Sequence, residues 1–481
     1  MALLGFAAGL PILLIFSSLS LWLAEAGVAR ASVTMFSWAA LGYSFKFVWA
    51  PLVDRLVLPG LGAMGRRRSW LMLAQLNVVA AIGVMSSVDP ATPGALPMMA
   101  LAAVWLGFAS ATQDIAIDAY RIECAPVQWQ AMLSAAYIAG YRVGMVVAGA
   151  GALWLADAWG STRGAYAAQA WQHAYQVMAA CMLVGVLTTW RMPEPTPAPE
   201  AMAAPPAAPP HHGPLLLLFA AVVAVFVAVF SALAPWLGSG HGPVVSLLAE
   251  LLRLALALAA GLVAGQTLVG LGWVPAALLR QTWLAPVQSF FLQHGARTAW
   301  LLLALIGLYR ISDIVLGVIS NVFYMDMGYS KPDIAQAVKT FGVAVSIAGG
   351  FLGGWLATRW GVMRCLFWGA VVSALTNVLF VWLALSGAGI SGLYAVVTAD
   401  NLAAGFASAA FVAFLSSLTQ VSFTAVQYAV FSSLMTLLPK TLGGYSGGMV
   451  DAMGYPGFFV FTALLGVPVL VLVVWATKRL K

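Results

Sequence analysis

Charge is what this chain has least of. Only 8% of its 481 residues are Asp, Glu, Lys or Arg, against roughly 25% in an average soluble domain. That shortage excludes a soluble globular protein. Cysteine is equally sparse: Cys124, Cys181 and Cys365 stand singly, so no disulfide framework and no zinc-ligand spacing can be drawn. The five histidines, His173, His211, His212, His241 and His294, fall mostly in expected loops. No membrane segment offers a nucleophile beside a base or a metal-ligating cluster, so neither an enzyme nor a metal site is expected. The net charge of +7 is carried by residues clustered at helix ends, which excludes a nucleic-acid face and leaves membrane lipid as the bulk partner.

What is abundant is apolar length. The chain is 62% hydrophobic with a mean hydropathy of +0.95. A spanning helix needs about 20 apolar residues. The runs 3–24, 33–57, 69–88, 96–120, 130–157, 171–191, 214–237, 244–270, 298–325, 333–357, 362–386, 391–418, 421–438 and 456–477 qualify. The expectation is therefore an all-α polytopic membrane protein with about fourteen spans. Ala24-Glu25-Ala26 resembles a signal-peptidase site, but no basic stretch precedes the long first run, which therefore reads as a retained helix. With the N-terminus inside, Arg55, Arg66, Arg67, Arg68, Arg121, Arg191, Arg280, Arg297, Arg359, Arg364, Lys478, Arg479 and Lys481 fall on one side. The other side keeps only Arg30, Arg163, Lys331 and Lys440. The positive-inside rule then places both termini in the cytoplasm.

Five regions follow: a six-helix bundle over 1–191, a Pro/Ala-rich cytoplasmic linker over 192–213, two extra spans over 214–270, an amphipathic cytoplasmic segment over 271–297 and a second six-helix bundle over 298–481. The linker composition favours an extended chain. Trp273, Trp283 and Phe290 among Arg280, Gln281 and Gln288 fit a helix lying on the membrane surface.

Eight charges sit inside the apolar runs: Lys46, Asp114, Asp118, Arg142, Arg310, Asp313, Lys339 and Asp400. Each costs roughly 2.5–3.5 kcal/mol at mid-membrane, so they must pair or line a wet cavity. Asp114 and Asp118 are four apart and share a helix face. Two close carboxylates in a low dielectric resist double ionisation, which is the property a proton carrier needs. Arg142, between Gly140 and Gly144, is the expected partner of Asp114. Arg310 and Asp313, three apart, can pair within their own helix. Proton coupling is thus assigned to Asp114, Asp118 and Arg142. A substrate cavity is assigned to Lys46, Gln113, Tyr141, Arg310, Asp313, Lys339, Asp400, Asn401 and Gln427. Such a mix suits a large amphipathic ligand with hydroxyls, amides and carboxylates. Lys46 can also snorkel towards the cytoplasmic face.

The two bundles share a landmark. After its second helix the first carries Pro51-Leu52-Val53-Asp54-Arg55 and, past an insertion at 56–64, Gly65-Arg66-Arg67-Arg68. The second carries Gly354-Trp355-Leu356-Ala357-Thr358-Arg359-Trp360-Gly361 and then Arg364. Both resemble the G-x-x-x-D-R-x-G-R-R loop of the major facilitator superfamily. The resemblance implies two six-helix bundles, here with two additional helices between them, and a cytoplasmic gate at Asp54, Arg55, Gly65, Arg66, Arg67, Arg68, Gly354, Arg359, Gly361 and Arg364. Thr358 stands where the acid belongs, which puts the second latch in doubt.

Further stretches narrow the resemblance. Gly5-Phe6-Ala7-Ala8-Gly9-Leu10-Pro11, Phe45-Lys46-Phe47-Val48-Trp49-Ala50, Gln113-Asp114-Ile115-Ala116-Ile117-Asp118, Gly140-Tyr141-Arg142, Lys339-Thr340, Asn401-Leu402-Ala403-Ala404-Gly405 and Thr424-Ala425-Val426-Gln427-Tyr428 resemble the AmpG muropeptide permease family. That resemblance implies a proton-driven importer of GlcNAc-1,6-anhydro-MurNAc peptides across the bacterial inner membrane, from periplasm to cytoplasm. It would serve peptidoglycan recycling and beta-lactamase induction, work by alternating access, use the proton as coupling ion and need no other cofactor. A monomer is expected. The same branch includes relatives resembling acetyl-CoA transporters, so another solute is the alternative, followed by a non-transporting receptor on a transporter fold.

Overall fold

The computed structural model describes residues 1–28, 36, 43, 45–161, 165–195, 212–237, 243–329, 331–443 and 446–480. The first run forms α1 (Ala2–Ile15) and α2 (Ser17–Glu25). There follow α3 (Arg66–Ser87), α4 (Leu96–Glu123), α5 (Gln130–Val146) and α6 (Ala168–Arg191). Helix α5 continues through a π-helical turn, Val147–Gly151, into Ala152–Ala158. The two extra helices are α7 (His212–Ala232) and α8 (Pro243–Gly270). The remainder is α9 (Ala296–Leu308), α10 (Ile311–Asp326), α11 (Gly342–Trp360), α12 (Val362–Ser386), α13 (Ile390–Leu418), α14 (Thr424–Gly443), α15 (Ser446–Leu464) and α16 (Gly466–Arg479). Ten stretches of described residues are long and apolar enough to span a bilayer. The protein is a multi-pass membrane protein. Part of the expected second span, 33–35, 37–42 and 44 of 33–57, lies outside the described residues; its described part includes the turn Lys46–Val48 and the short helix Ala50–Arg55.

One span differs from expectation. The run 298–325 is one hydrophobic span but two helices, interrupted at Tyr309 and Arg310. The final span starts close to the expected 456: Gly454, at φ +71° and ψ 167°, interrupts α15, a conformation that suits glycine, and Pro456 falls in the first turn of the stretch that follows.

The chain divides into two compact units. One comprises Met1–Val53, Val57–Ala201 and His294–Lys481; the other comprises Asp54–Leu56 with Met202–Gln293. In the second unit α7 and α8 pack together, and Arg253 donates to the Phe230 carbonyl at 2.6 Å while its guanidinium stacks on that ring. Arg55 donates to the Gln281 carbonyl at 2.6 Å. The surface stretch there contains the helix Ala285–His294, with Leu284, Val287 and Leu292 exposed and Phe290 buried.

In the larger unit, glycine sets how closely helices approach. A Cβ on Gly140 of α5 would fall 1.8 Å from the Ala2 carbonyl oxygen of α1, and one on Gly9 would fall 2.0 Å from that of Tyr141. Bare backbone on both helices therefore allows α1 and α5 to lie in contact. The second half uses the same device between other helices: Gly349 and Gly353 of α11 meet Leu402 and Phe406 of α13. Arg142 is two residues from Gly140. At 100° per residue it projects from the face opposite α1, which turns it away from its own half.

Candidate functional site

The intramembrane charges form two groups. The first hangs on α4. Asp118 lies one turn below Asp114; its Oδ2 is 3.8 Å from Lys46 Nζ and its Oδ1 is 3.4 Å from Arg121 Nη2. All three side chains are buried. Asp114 interacts electrostatically with Lys46 and Asp118, and also with Tyr43, Tyr137 and Tyr141. Its Oδ1 is buried and accepts no hydrogen bond. Trp49 Nε1 donates to Thr112 Oγ1 at 3.0 Å and so holds the segment bearing Lys46 against α4. An acid with an unmatched buried oxygen, one turn from an acid matched by two cations, is an arrangement able to accept a proton.

The second group is drawn from both halves. Arg142 comes from α5, Arg310 from the break between α9 and α10, Asp313 from the first turn of α10, and Asp400 from α13. All four are only partly buried although they lie in or beside apolar helices, and a charge so placed calls for water rather than lipid. Arg310 Nε is 3.2 Å from Asp313 Oδ2, the expected spacing-of-three pair, and its Nη1 donates to Ser408 Oγ at 2.7 Å. Arg142 interacts electrostatically with Arg310 and Asp400. Neither Arg142 nor Asp400 makes a hydrogen bond or ion pair with a described residue. Tyr141 lies beside Arg142 and Asn401 beside Asp400, although the Asn401 amide donates to the Val397 carbonyl of its own helix at 3.0 Å.

Several assignments from sequence are corrected. The partner that comes to the acidic pair is Lys46, not Arg142, because Arg142 faces the other half. Gln113 does not line the vestibule: it is fully buried and its Nε2 donates to the Ala7 carbonyl at 3.0 Å. Pro11 explains this, since proline has no N–H to offer the carbonyl four residues earlier, and Gln113 supplies the missing donor. Gln427 accepts from the Gln420 backbone N–H at 2.7 Å and braces the turn before α14. The side chain of Lys339 lies outside the described residues.

The loop signature also sorts differently. Arg67 is fully buried. It donates to Glu123 Oε2 at 3.0 Å and to the Val53 carbonyl at 3.2 Å, and reaches Thr424 Oγ1 across the halves at 3.4 Å. Thr424 in turn donates to Glu123. Arg66 approaches Glu123 at 3.8 Å. Arg68 donates to the carbonyls of Thr189 and Trp190 at the end of α6. Gly65, at φ +97°, leaves room for Glu194, whose carboxylate accepts the backbone N–H of Arg67 and Arg68 at 2.7 and 3.0 Å, an acid at a helix N-terminus. Gly354 meets Ala131 and Ala135 of α5 across the halves. The second arginine pair does not reach the other half. Arg359 is exposed and stacks on Trp355, Arg364 is exposed, and Thr358 donates to its own helix. Gly361, at φ +86°, only separates α11 from α12.

Sequence reasoning missed Glu123, Glu194 and Ser416; Arg121, which its spacing offers to Asp118 as a partner, does pair with it, but its reach to the other half was not read. Glu123 had a readable signal: an acid in the last turn of a helix opposes the helix dipole, so it needs a cation elsewhere.

Comparison with known proteins agrees with this architecture. Residues 1–163 match a family described as acetyl-coenzyme A transporter 1. The chain is 30% identical over 476 residues to "Putative transporter AmpG 4" of Rickettsia felis, covering 99% of this chain and 95% of that one. It is 28% identical over 482 residues to "Anhydromuropeptide permease" of Escherichia coli K12, covering 99% and 79%. In structure it is similar to the proton:xylose symporter XylE of the major facilitator superfamily, with a TM-score of 0.61, 13% identity and coverage of 98% and 93%. The fold is that of the major facilitator superfamily, and by its full-length likeness this chain belongs to the AmpG transporter family.

Proposed function

We propose that the protein imports anhydromuropeptides across a bacterial inner membrane from periplasm to cytoplasm, driven by protons and working by alternating access, with both termini cytoplasmic. It acts as a carrier, not an enzyme. The observation that carries this reading is the facing of Arg142 and Asp400, from opposite halves, water-accessible and without direct partners. A peptide-bearing sugar offers carboxylates and amides to the one and donors to the other, and a ligand that bridges the halves gives them a reason to close. Asp114 and Asp118 would hold the proton, with Lys46 as the cation that answers when it leaves.

The matched family description makes acetyl-CoA the second reading. Arg142, Arg310, Asp313 and Asp400 sum to no net charge, and a ligand with several phosphates calls for an excess of cations. That balance favours the muropeptide.

Uptake of labelled anhydromuropeptide into proteoliposomes, with and without an inward proton gradient and with acetyl-CoA as competitor, tests the choice. The expected result is gradient-dependent accumulation that acetyl-CoA does not reduce. Asp114→Asn is expected to bind ligand yet lose accumulation. Uptake equal with and without a gradient, or full competition by acetyl-CoA, would overturn the proposal.

A further inference from the structure

Arg121 reads in the sequence as one more basic residue at a cytoplasmic helix end. In the structure it is fully buried and joins four helices. Its Nη1 donates to Gln130 Oε1 at 3.2 Å and Ser134 Oγ at 3.1 Å on α5, and to Ser416 Oγ of α13 at 2.8 Å. Its guanidinium carbon lies 5.1 Å from the ring centre of Tyr428 on α14. Two of these contacts are with the other half. Among the described residues its carboxylate partner is Asp118, and its buried Nε–H donates to no hydrogen-bond partner.

The charged and titratable groups around it are Asp118 and Asp114 on its own helix, Cys124 at that helix's end, Lys46, Tyr137 on α5 and Tyr428 on α14. With Asp118 ionised, Arg121 and Lys46 share one anion and the guanidinium is held in place. When a proton taken up at Asp114 passes one turn on to Asp118, the two buried cations beside Asp118 are left without their anion. A buried charge stripped of its partner is strongly unfavourable, and the relief available is water, which enters only if the halves part at this end.

We infer that Arg121 is the positioning residue that couples the proton on the Asp114–Asp118 pair to opening of the arginine-rich end, by holding Ser416 and Tyr428 of the opposite half only while Asp118 is ionised. The inference rests on the proton-driven reading above and adds the link between proton and gate. The direction follows: loading a proton opens this end, and losing it closes the end again.

The test uses the full chain in nanodiscs, with Cys124, Cys181 and Cys365 replaced and spin labels at Gln128 and Ser417, one on each half. Distance distributions are taken from pH 5 to 9 without substrate. The wild-type background is expected to shift towards the longer distance at low pH. Arg121→Gln and Asp118→Asn are expected to give the longer distance at every pH. Arg121→Lys, which keeps the charge but loses the fork, is expected to restore a weakened pH response that a merely structural arginine would not recover. Ser416→Ala, a mild change that leaves the fold intact, is expected to raise the long-distance population about threefold or more at pH 8. A pH response retained in both Arg121→Gln and Asp118→Asn overturns this inference alone. No pH response in the wild-type background overturns it together with proton coupling.

Discussion

Thr424→Val isolates the contact between halves at the arginine-rich end. Valine keeps the shape and removes one hydroxyl. That hydroxyl donates to Glu123 and accepts from Arg67 Nη2 at 3.4 Å, while the Arg67–Glu123 pair within the first half stays whole at 3.0 Å. A hydrogen bond to a charged group contributes about 1.5–3 kcal/mol. The bond exists only when the halves are closed here, so its loss falls on the closed state. At about 1.4 kcal/mol per tenfold, the open population should rise roughly 10- to 100-fold. Ala135 is 1% exposed and lies under Gly354 at this interface. In a cysteine-free background, maleimide labelling of Ala135→Cys reports the open population when opening is fast relative to reaction. The expected result is labelling faster by 10-fold or more in Thr424→Val. A change below twofold would refute the assignment of this cluster as a latch.

Four further outcomes follow from the same geometry. Gln113→Leu leaves the Ala7 carbonyl without its donor and should cost about 1–3 kcal/mol of stability, read as a lower thermal midpoint with uptake preserved; lost uptake at an unchanged midpoint would return Gln113 to the vestibule. Gly140→Ala places a methyl where the Ala2 carbonyl stands, so a loss of at least about 1–3 kcal/mol and a sharply lower folded yield are expected. Asp400→Asn should weaken ligand binding about tenfold while leaving the pH response of the arginine-rich end intact, because Asp400 lies in the second charge group; ligand titration by tryptophan fluorescence checks it. Glu194→Gln removes an anion from the N-terminus of α3 and should cost about 0.3–1 kcal/mol, measurable by thermal unfolding and without effect on uptake.

The fold was legible because lipid is a strict solvent. Apolar length alone located most of the spans, and the loop around Arg66 paired with that around Arg359 revealed the repeat. The eight charges were legible for the same reason, since each stands out against a background that forbids it. Their partners were not. Spacing placed Arg310 with Asp313 because that contact is local, three residues apart on one helix. Spacing could not place Lys46 with Asp118, which depends on how the second span lies against α4. Arg142 was assigned to Asp114 by default. The glycines flanking it held the correction: they commit that side of α5 to α1, so Arg142 must project the other way. Gln113 was readable by the same kind of reasoning, since Pro11 leaves the Ala7 carbonyl in need of a donor.

Under the proposed function the two charge groups would answer different demands, and α4 would link them. A proton site must be dry enough that one added proton matters, a demand the proposed pair Asp114 and Asp118 would meet, since both are buried, as are Lys46 and Tyr428 beside them. A site for a large polar ligand must be wet, and Arg142 and Asp400 remain partly exposed. If one group served both ends, ligand and proton would compete for the same charges. Separation avoids this, but it requires a mechanical link. Helix α4 supplies it in three steps of its own length: Asp114 at the dry centre, Asp118 and Arg121 one turn further, and Glu123 at the end. The last two touch Ser416 and Thr424 of the other half. A rigid helix running from the proton to the gate moves both together, so a charge change at its middle is felt at its end without any intervening loop.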